Sequence, residues 1–296
     1  MTTPLIINPS AGGGTCLRRA RPLVQRLRAS GLEVEIQETT HAGHATELAK
    51  AWLNKGVSTV LCAGGDGTTF EVLNGLFPHD SACTPRLGCL PLGTGNSFLR
   101  DFDACKVDTV IEAIQQDRIH RVDVVRLTHA DGELHYLNLF GIGFVSDVAT
   151  LTNTWFKPLG PAGYAFGTLI EVARLKSRPL PHARDDGPMD RDPVVFLSFS
   201  NSKFTGGAMK MAPHASLQDG KVDIIKVGAL GRRELLKAFP SIYRGEHIHH
   251  PANDCHTAAR VAFDLDGPID AMIDGEVLRL DVKHLEVLPQ ALEIYA

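Results

Sequence analysis

Asp66 is the residue whose chemistry most needs an explanation. It lies in "LCAGGDGTTFEVLNGL" (Leu61–Leu76), between a short apolar segment, Val57–Ala63, that reads as a buried strand, and a segment from Thr68 to Leu76 that reads as a helix. Gly64, Gly65 and Gly67 surround it. A glycine turn that opens a helix presents backbone amides to an anion. A bare carboxylate in such a turn repels a polyphosphate unless it binds Mg²⁺ or takes a proton, and both roles belong to phosphoryl transfer. The competing explanation is structural: Asp66, or equally Thr68, caps the helix that follows. A cap accounts for one aspartate and leaves the glycines on either side of it unexplained.

Two more stretches have the same build. "NPSAGGG" (Asn8–Gly14) and "PLGTGN" (Pro91–Asn96) each end an expected strand and open a helix. In a parallel sheet all three would emerge at the carboxyl edge of the strands, where ligands bind. One glycine turn is as often plain geometry as ligand contact; three on one edge favour a phosphate site. The pattern is neither a Walker A loop nor a dinucleotide fingerprint, because GxxxxGK[ST] is absent and "GGDGTT" does not fit GxGxxG. Arg18 or Arg19 could supply positive charge, and a solvated helix face explains them equally well.

The elements that must hold these loops alternate over roughly the first 125 residues. Strands are expected at Pro4–Asn8, Leu32–Glu38, Val57–Ala63 and Arg86–Leu92, with helices over Thr15–Ala29, Gly43–Asn54, Thr68–Leu76 and Val107–Gln116. This predicts an α/β domain, 1–125, with a parallel, doubly wound sheet. From Val122 onward strand-like segments punctuated by Asp-Gly turns predict a mostly antiparallel β-sandwich domain, 126–285. The tail, 286–296, is apolar enough to pack back on the first domain. Arg178–Pro193 reads as a loop.

A net charge of −4 gives no indication of a nucleic-acid partner. Six scattered cysteines without a CxxC pair suit a reduced, cytoplasmic protein, and Cys83 and Cys89 receive no role. No signal peptide or bilayer-spanning run is expected, so any membrane contact is peripheral. His247 and His249 would share one face of a strand; without a Cys/Asp/Glu cluster nearby they read as structural or solvated, like His41 and His44 at the surface. Thr154–Ile170, with Trp, Phe and Tyr among glycines, suits a lipid entrance or an ordinary sandwich core.

The motifs taken together resemble one family. "GGDGTTFEVLNGL" is similar to the GGDGTxxEVxNGL signature of the diacylglycerol kinase catalytic domain family, which includes sphingosine kinases and bacterial lipid kinases. "NPSAGGG" resembles its NPxSG opening and "PLGTGNSF" its PxGTxND segment. "GGAMKMAPHASLQDGKVDI" (Gly206–Ile224) resembles its GGGxxxAPxAxxxDGxLD stretch, "YRGEHIHHP" its GxHxxHP piece, and "IDGEV" its late DGE. The GGDGT core alone is shared with NAD kinases and phosphofructokinases; the ordered set, from Asn8 to Glu276, is specific.

The resemblance implies an ATP- and Mg²⁺-dependent kinase acting on a lipid hydroxyl at a membrane surface, with ATP held between the two domains. By it, ATP contacts fall on Asn8, Pro9, Ser10, Ala11 and Gly12, on Gly64, Gly65, Asp66, Gly67 and Thr68, on Thr94, and on Thr39, with Thr40 a near rival. Asp66 enters the Mg²⁺–phosphate network and Asp123 supports it. The general base is the DGE glutamate. Both Asp131-Gly132-Glu133 and Asp274-Gly275-Glu276 are well explained as hairpin turns; motif order alone selects Glu276. A structural Mg²⁺ is implied at Asp219 and the carbonyls of Ser216 and Lys221, with a plain Asp-Gly turn as the alternative. Ser97 stands where the family has Asp, which leaves diacylglycerol, a sphingoid base, ceramide and monoacylglycerol open as acceptors. An NAD kinase and an inactive nucleotide- or lipid-binding regulator are the competing functions. The oligomeric state is open.

Overall fold

In the computed structural model, the described residues are 2–79, 84–143 and 176–296. Cys83 and the aromatic segment Thr154–Ile170 lie outside them. The chain divides into two units: Met1–Val124 with His135–Leu137 and Leu288–Ala296, and Val125–Leu134 with Asn138–Val287.

The first unit alternates as expected. Its elements are β1 (Thr3–Ile7), α1 (Ala11–Gly14), α2 (Cys16–Ala29), β2 (Val34–Glu38), α3 (His44–Leu53), β3 (Thr59–Gly64), α4 (Asp66–Leu76), β4 (Arg86–Pro91) and α5 (Val107–Gln115). The last three residues but one of the chain add a further strand beside β4, so the order is β2-β1-β3-β4-C-terminal strand, all parallel. β1 and β3 are buried along almost their whole length, which is why they read as unbroken apolar runs. Helix α2 buries Cys16, Ala20, Leu23, Val24 and Leu27, a stripe at helical spacing. Register fixes the edge: Ile7 lies beside both Glu38 and Ala63, and Gly64 beside Pro91. The turns after β1, β2, β3 and β4 therefore leave the sheet together. Arg86 holds the C-terminal strand in place through its Nε, 2.6 Å from Glu293 Oε2.

Strand β5 (Ile119–His129) passes from the first unit into the second, followed by β6 (Gly132–Tyr136) and β7 (Leu139–Gly143). Then come β8 (Arg178–Pro179), β9 (His182–Arg184), β10 (Met189–Asp190), β11 (Pro193–Val194), β12 (Phe196–Ser200) and β13 (Val222–Val227). Helix α6 (Arg232–Ala238) precedes β14 (Asn253–Ala258), β15 (Arg260–Phe263), β16 (Ile269–Ile273), β17 (Glu276–Leu280) and β18 (Val282–Tyr295). Six strands form an antiparallel sheet, β14-β13-β12-β7-β16-β17. Strands β10, β9 and β15 pair in turn with the first part of β18. Phe140 and Phe199 of the six-stranded sheet meet Phe263 of β15 edge-on, with ring centroids 5.8 and 5.2 Å away. This is the sandwich core.

Two expectations change. The loop expected over Arg178–Pro193 contains three short strands and the start of a fourth; its Pro179 and Pro193 lie in the two-stranded sheet of β8 and β11, where both strands are edges and a missing amide is tolerated. The stretch around His247 is a 3-10 helix, Glu246–His249, so His247 and His249 do not share a strand face. His247 is buried, with Nε2 2.9 Å from the Met211 carbonyl, and burial pushes its pKa down. His249 is exposed.

Candidate functional site

At the carboxyl edge of the first unit, Asn8 ties the first two loops together. Its Nδ2 donates to Thr68 Oγ1 at 3.1 Å, and its Oδ1 accepts the Ser10 amide at 3.0 Å. Gly93 locks the second loop to the third: its amide donates to Gly64 O at 2.6 Å, and a Cβ on Gly93 would fall 2.2 Å from Gly65 Cα. Only glycine permits two backbones to approach this closely. Arg19 Nη1 donates to Leu92 O at 3.3 Å, so it braces the third loop. Thr40 is engaged with His44, whereas Thr39 carries no side-chain hydrogen bond among the described residues. Thr94 is exposed.

Asp66 does not cap the helix it opens. The N-cap of α4 is Gly65, Asp66 is the first helical residue, and no side chain closes that cap. Thr68 is buried against Asn8. The Asp66 carboxylate reaches instead to the start of the next 3-10 helix, Phe98–Phe102. It accepts the Ser97 amide at 2.8 and 3.0 Å and the Ser97 hydroxyl at 3.0 Å. With the Phe98 amide at 3.5 Å it meets three donors, against about four lone-pair positions on a carboxylate, which leaves room for about one more partner. Asp66 is partly exposed. Ser97 itself is 2 % exposed. The family's Asp at this position would put a second carboxylate against Asp66; serine supplies a donor. Ser97 therefore meets Asp66 directly through both its amide and its hydroxyl. Asp123, on β5, is fully buried and accepts the Gln290 amide at 2.8 Å.

The signature helix also holds residues with purely structural work that the motif alone does not distinguish. Glu71 accepts the Ala45 amide at the start of α3, at 3.1 Å. Asn74 exchanges two hydrogen bonds with the backbone of His135, at 2.8 and 2.9 Å.

In the second unit the two Asp-Gly-Glu triplets differ sharply. Asp131 is exposed and Glu133 lies 3.8 Å from Arg126. Asp274 is 5 % exposed, and its Oδ1 accepts the amides of Asn138 and Leu139, each at 2.9 Å. Asp274 and Gly275 have φ of 47° and 93°, the two left-handed positions of a tight hairpin turn between β16 and β17. Glu276 follows, exposed and in no ion pair among the described residues. Gly275 lines an apolar cavity of about 400 Å³, within the range of a small-molecule site. Phe196, Ile225, Val227 and Met272 form its floor on the six-stranded sheet, and Leu235, Phe239 and Ile242 roof it. The sequence reading found neither the roof nor the cavity. The signal was present in "LLKAFPSI", where Leu235, Ala238, Phe239 and Ile242 follow helical spacing.

Asp219 accepts the Lys221 amide at 3.1 Å in a turn with Gly220 at φ 71°. A second carboxylate, Asp223, faces the same place; burial and the Asp219 charge push its pKa up to about 6. Ser216, Asp219, Lys221 and Asp223 thus offer an all-oxygen donor set with repelling carboxylates, which suits a hard divalent cation. His41, His44 and Glu47 also place donor atoms within 4.8 Å of one another. There, His44 Nδ1 already accepts the Thr40 amide at the start of α3, which is surface turn chemistry.

Residues 3–127 match the family model "Diacylglycerol kinase catalytic domain", and residues 139–296 match "YegS C-terminal NAD kinase beta sandwich-like domain". A "Probable lipid kinase YegS-like" of Yersinia pseudotuberculosis is 30 % identical, over 98 % of this chain and 95 % of the relative. The chain belongs to the diacylglycerol kinase catalytic domain family. It is an enzyme of the lipid kinase class. It is also 27 % identical to "Diacylglycerol kinase" of Bacillus subtilis, over 96 % of this chain and 95 % of that one. Among solved structures it is similar to "a putative diacylglycerol kinase from Bacillus anthracis str. Sterne", with a TM-score of 0.79, 25 % identity, and coverage of 99 % of this chain and 96 % of that one. No helix of the described residues is long and apolar enough to cross a membrane.

Proposed function

We propose that this lipid kinase transfers the terminal phosphoryl group of ATP to a lipid hydroxyl, with Glu276 as general base. Diacylglycerol is the acceptor favoured by the names of the relatives. The observation that carries the reading is the β16–β17 hairpin. Its Asp274 is buried on two amides, its Gly275 borders an apolar cavity, and its Glu276 emerges unpaired beside that cavity. An acyl chain in the cavity brings the acceptor's polar end to Glu276.

The amides of the Gly64–Thr68 turn, with Asn8, Ser10 and Thr94, bind and orient the nucleotide phosphates. Mg²⁺, when bound with ATP, neutralises charge between the phosphates, and Asp66 supported by Asp123 would hold it. A second ion would be held by Asp219 and Asp223 with the carbonyls of Ser216 and Lys221, and would steady that loop. Phosphoryl transfer has a loose transition state, so most of the acceleration comes from positioning and charge. Glu276 takes the hydroxyl proton as the new P–O bond forms.

The experiment is purified protein with labelled ATP, Mg²⁺, a panel of lipid alcohols, and NAD in parallel, followed by chromatography. Label in one lipid product, dependent on Mg²⁺, supports the reading and names the acceptor. Label in NAD replaces it with an NAD kinase. Bound nucleotide with label nowhere replaces it with a regulator.

A further inference from the structure

The roof of the cavity has a second, outward face. Leu235, Ala238, Phe239 and Ile242 point to the cavity. Leu236 and Pro240 face outward, and Tyr243, which also borders the cavity, stands exposed beside them, Leu236 at 45 % and Tyr243 at 54 %. These two are among three large hydrophobic side chains that stand exposed among the described residues. Around them are Arg232, Arg233, Lys237 and Arg244, all exposed. The acidic residues of the same segment are already committed: Glu234 Oε2 accepts the Gly231 amide at 3.0 Å, and Glu246 pairs with Arg244 at 2.7 Å. Arg232, Arg233 and Lys237 have no partner among the described residues. The segment thus carries three cations outside any ion pair, partly offset by the Glu234 carboxylate, on a chain of net charge −4.

We propose that the segment Gly231–Arg244 docks the enzyme on an anionic phospholipid bilayer, with Leu236 and Tyr243 entering the headgroup region and Arg232, Arg233 and Lys237 paired with lipid phosphates. Apolar side chains flanked by cations on one helical face match an interface that is apolar below and anionic above. Two copies of this chain meeting by the same face would set these cations against each other under two-fold symmetry, which argues against a dimer contact. Docking here leaves only one layer of side chains between the bilayer and the cavity. The lipid acceptor then enters past the roof without crossing water. The purpose rests on the lipid kinase reading; the binding itself does not.

The test is sedimentation of the full chain with vesicles of phosphatidylcholine alone and of phosphatidylcholine mixed with phosphatidylglycerol. The wild type is expected to bind the anionic vesicles, and to release as salt shortens the screening length. Arg233→Ala and Lys237→Ala should each weaken binding about fivefold, from roughly 1 kcal/mol per cation at an anionic surface. Leu236→Ser should weaken it further, and the emission of Leu236→Trp should shift to the blue on binding. Each variant should melt like the wild type and phosphorylate a short-chain acceptor dissolved as monomers at the wild-type rate. Equal binding to neutral vesicles, or unchanged binding by the charge variants, overturns the proposal. So does a wild-type dimer that Leu236→Ser converts to monomer. Charge-dependent vesicle binding without turnover of any lipid keeps the docking surface and removes the kinase reading.

Discussion

At the β16–β17 hairpin the Asp274 carboxylate turns inward to two amides, and the Glu276 carboxylate, two residues on, faces solvent beside the cavity. A general base typically contributes 10²- to 10⁴-fold. Glu276→Gln is therefore expected to lower kcat for lipid phosphorylation at least about 100-fold, with little change in the KM for ATP. Glu133→Gln, which only releases Arg126, should leave kcat within a factor of two. Steady-state kinetics on both variants decides between the triplets, and equal activity would remove the assignment. Ser97 offers a second test. Ser97→Ala deletes the hydroxyl that meets Asp66 and leaves the amide bonds, so one charge-assisted hydrogen bond of about 1.5–3 kcal/mol is lost. A tenfold or larger fall in kcat/KM for ATP is expected, with melting lowered by only about 3–10 °C, so that the variant stays folded at the assay temperature. Motif order could pick Glu276 from the sequence. Nothing in the sequence could show that Ser97 faces Asp66, because the two meet only when the turn after β4 folds beside the turn after β3.

The loop from Ser216 to Asp223 is an element whose charges oppose its fold. Burial and Asp219 together raise Asp223, and a bound divalent cation relieves both carboxylates. Mg²⁺ is expected to raise the melting temperature of the wild type. At a hundred times its Kd the gain is about 2.7 kcal/mol. Asp219→Asn should abolish that gain in differential scanning fluorimetry and leave melting in EDTA no lower than the wild type's. The turn here was legible from Asp-Gly. The second carboxylate was not assigned, since in sequence it reads as an ordinary strand residue of "KVDIIKV" and only the bend of the loop brings it to Asp219. Helix α6 was missed for a related reason. It is shorter than two full turns and interrupted by Pro240, so its period is weak against a background of strands.

Across the molecule, pH acts through two buried histidines of the second unit. His182 is 3 % exposed and His247 9 %. Burial lowers the pKa of each below the usual 6.5. At these two sites the unfolded chain binds protons that the folded chain refuses, so their contribution is full above about pH 6.5 and falls as the pH drops below it, while Asp223, raised to about 6, acts with the opposite sign over the same range. Urea unfolding at a series of pH values should show a steeper acid loss in Asp223→Asn than in the wild type, and a shallower one in His247→Gln; profiles of the two variants that coincide with the wild type's would contradict the burial argument. Strand–helix alternation, the Gly-rich turns and their order were fixed by local composition, because strand, turn and helix preferences act over a few residues. They determined the α/β unit, the sandwich and the family. What touches what was decided by register and packing: Asp66 on Ser97, Asp274 on the amides of Asn138 and Leu139, and the apolar cavity closed by α6. These depend on segments tens to more than a hundred residues apart meeting in one place, and no window of sequence contains both partners.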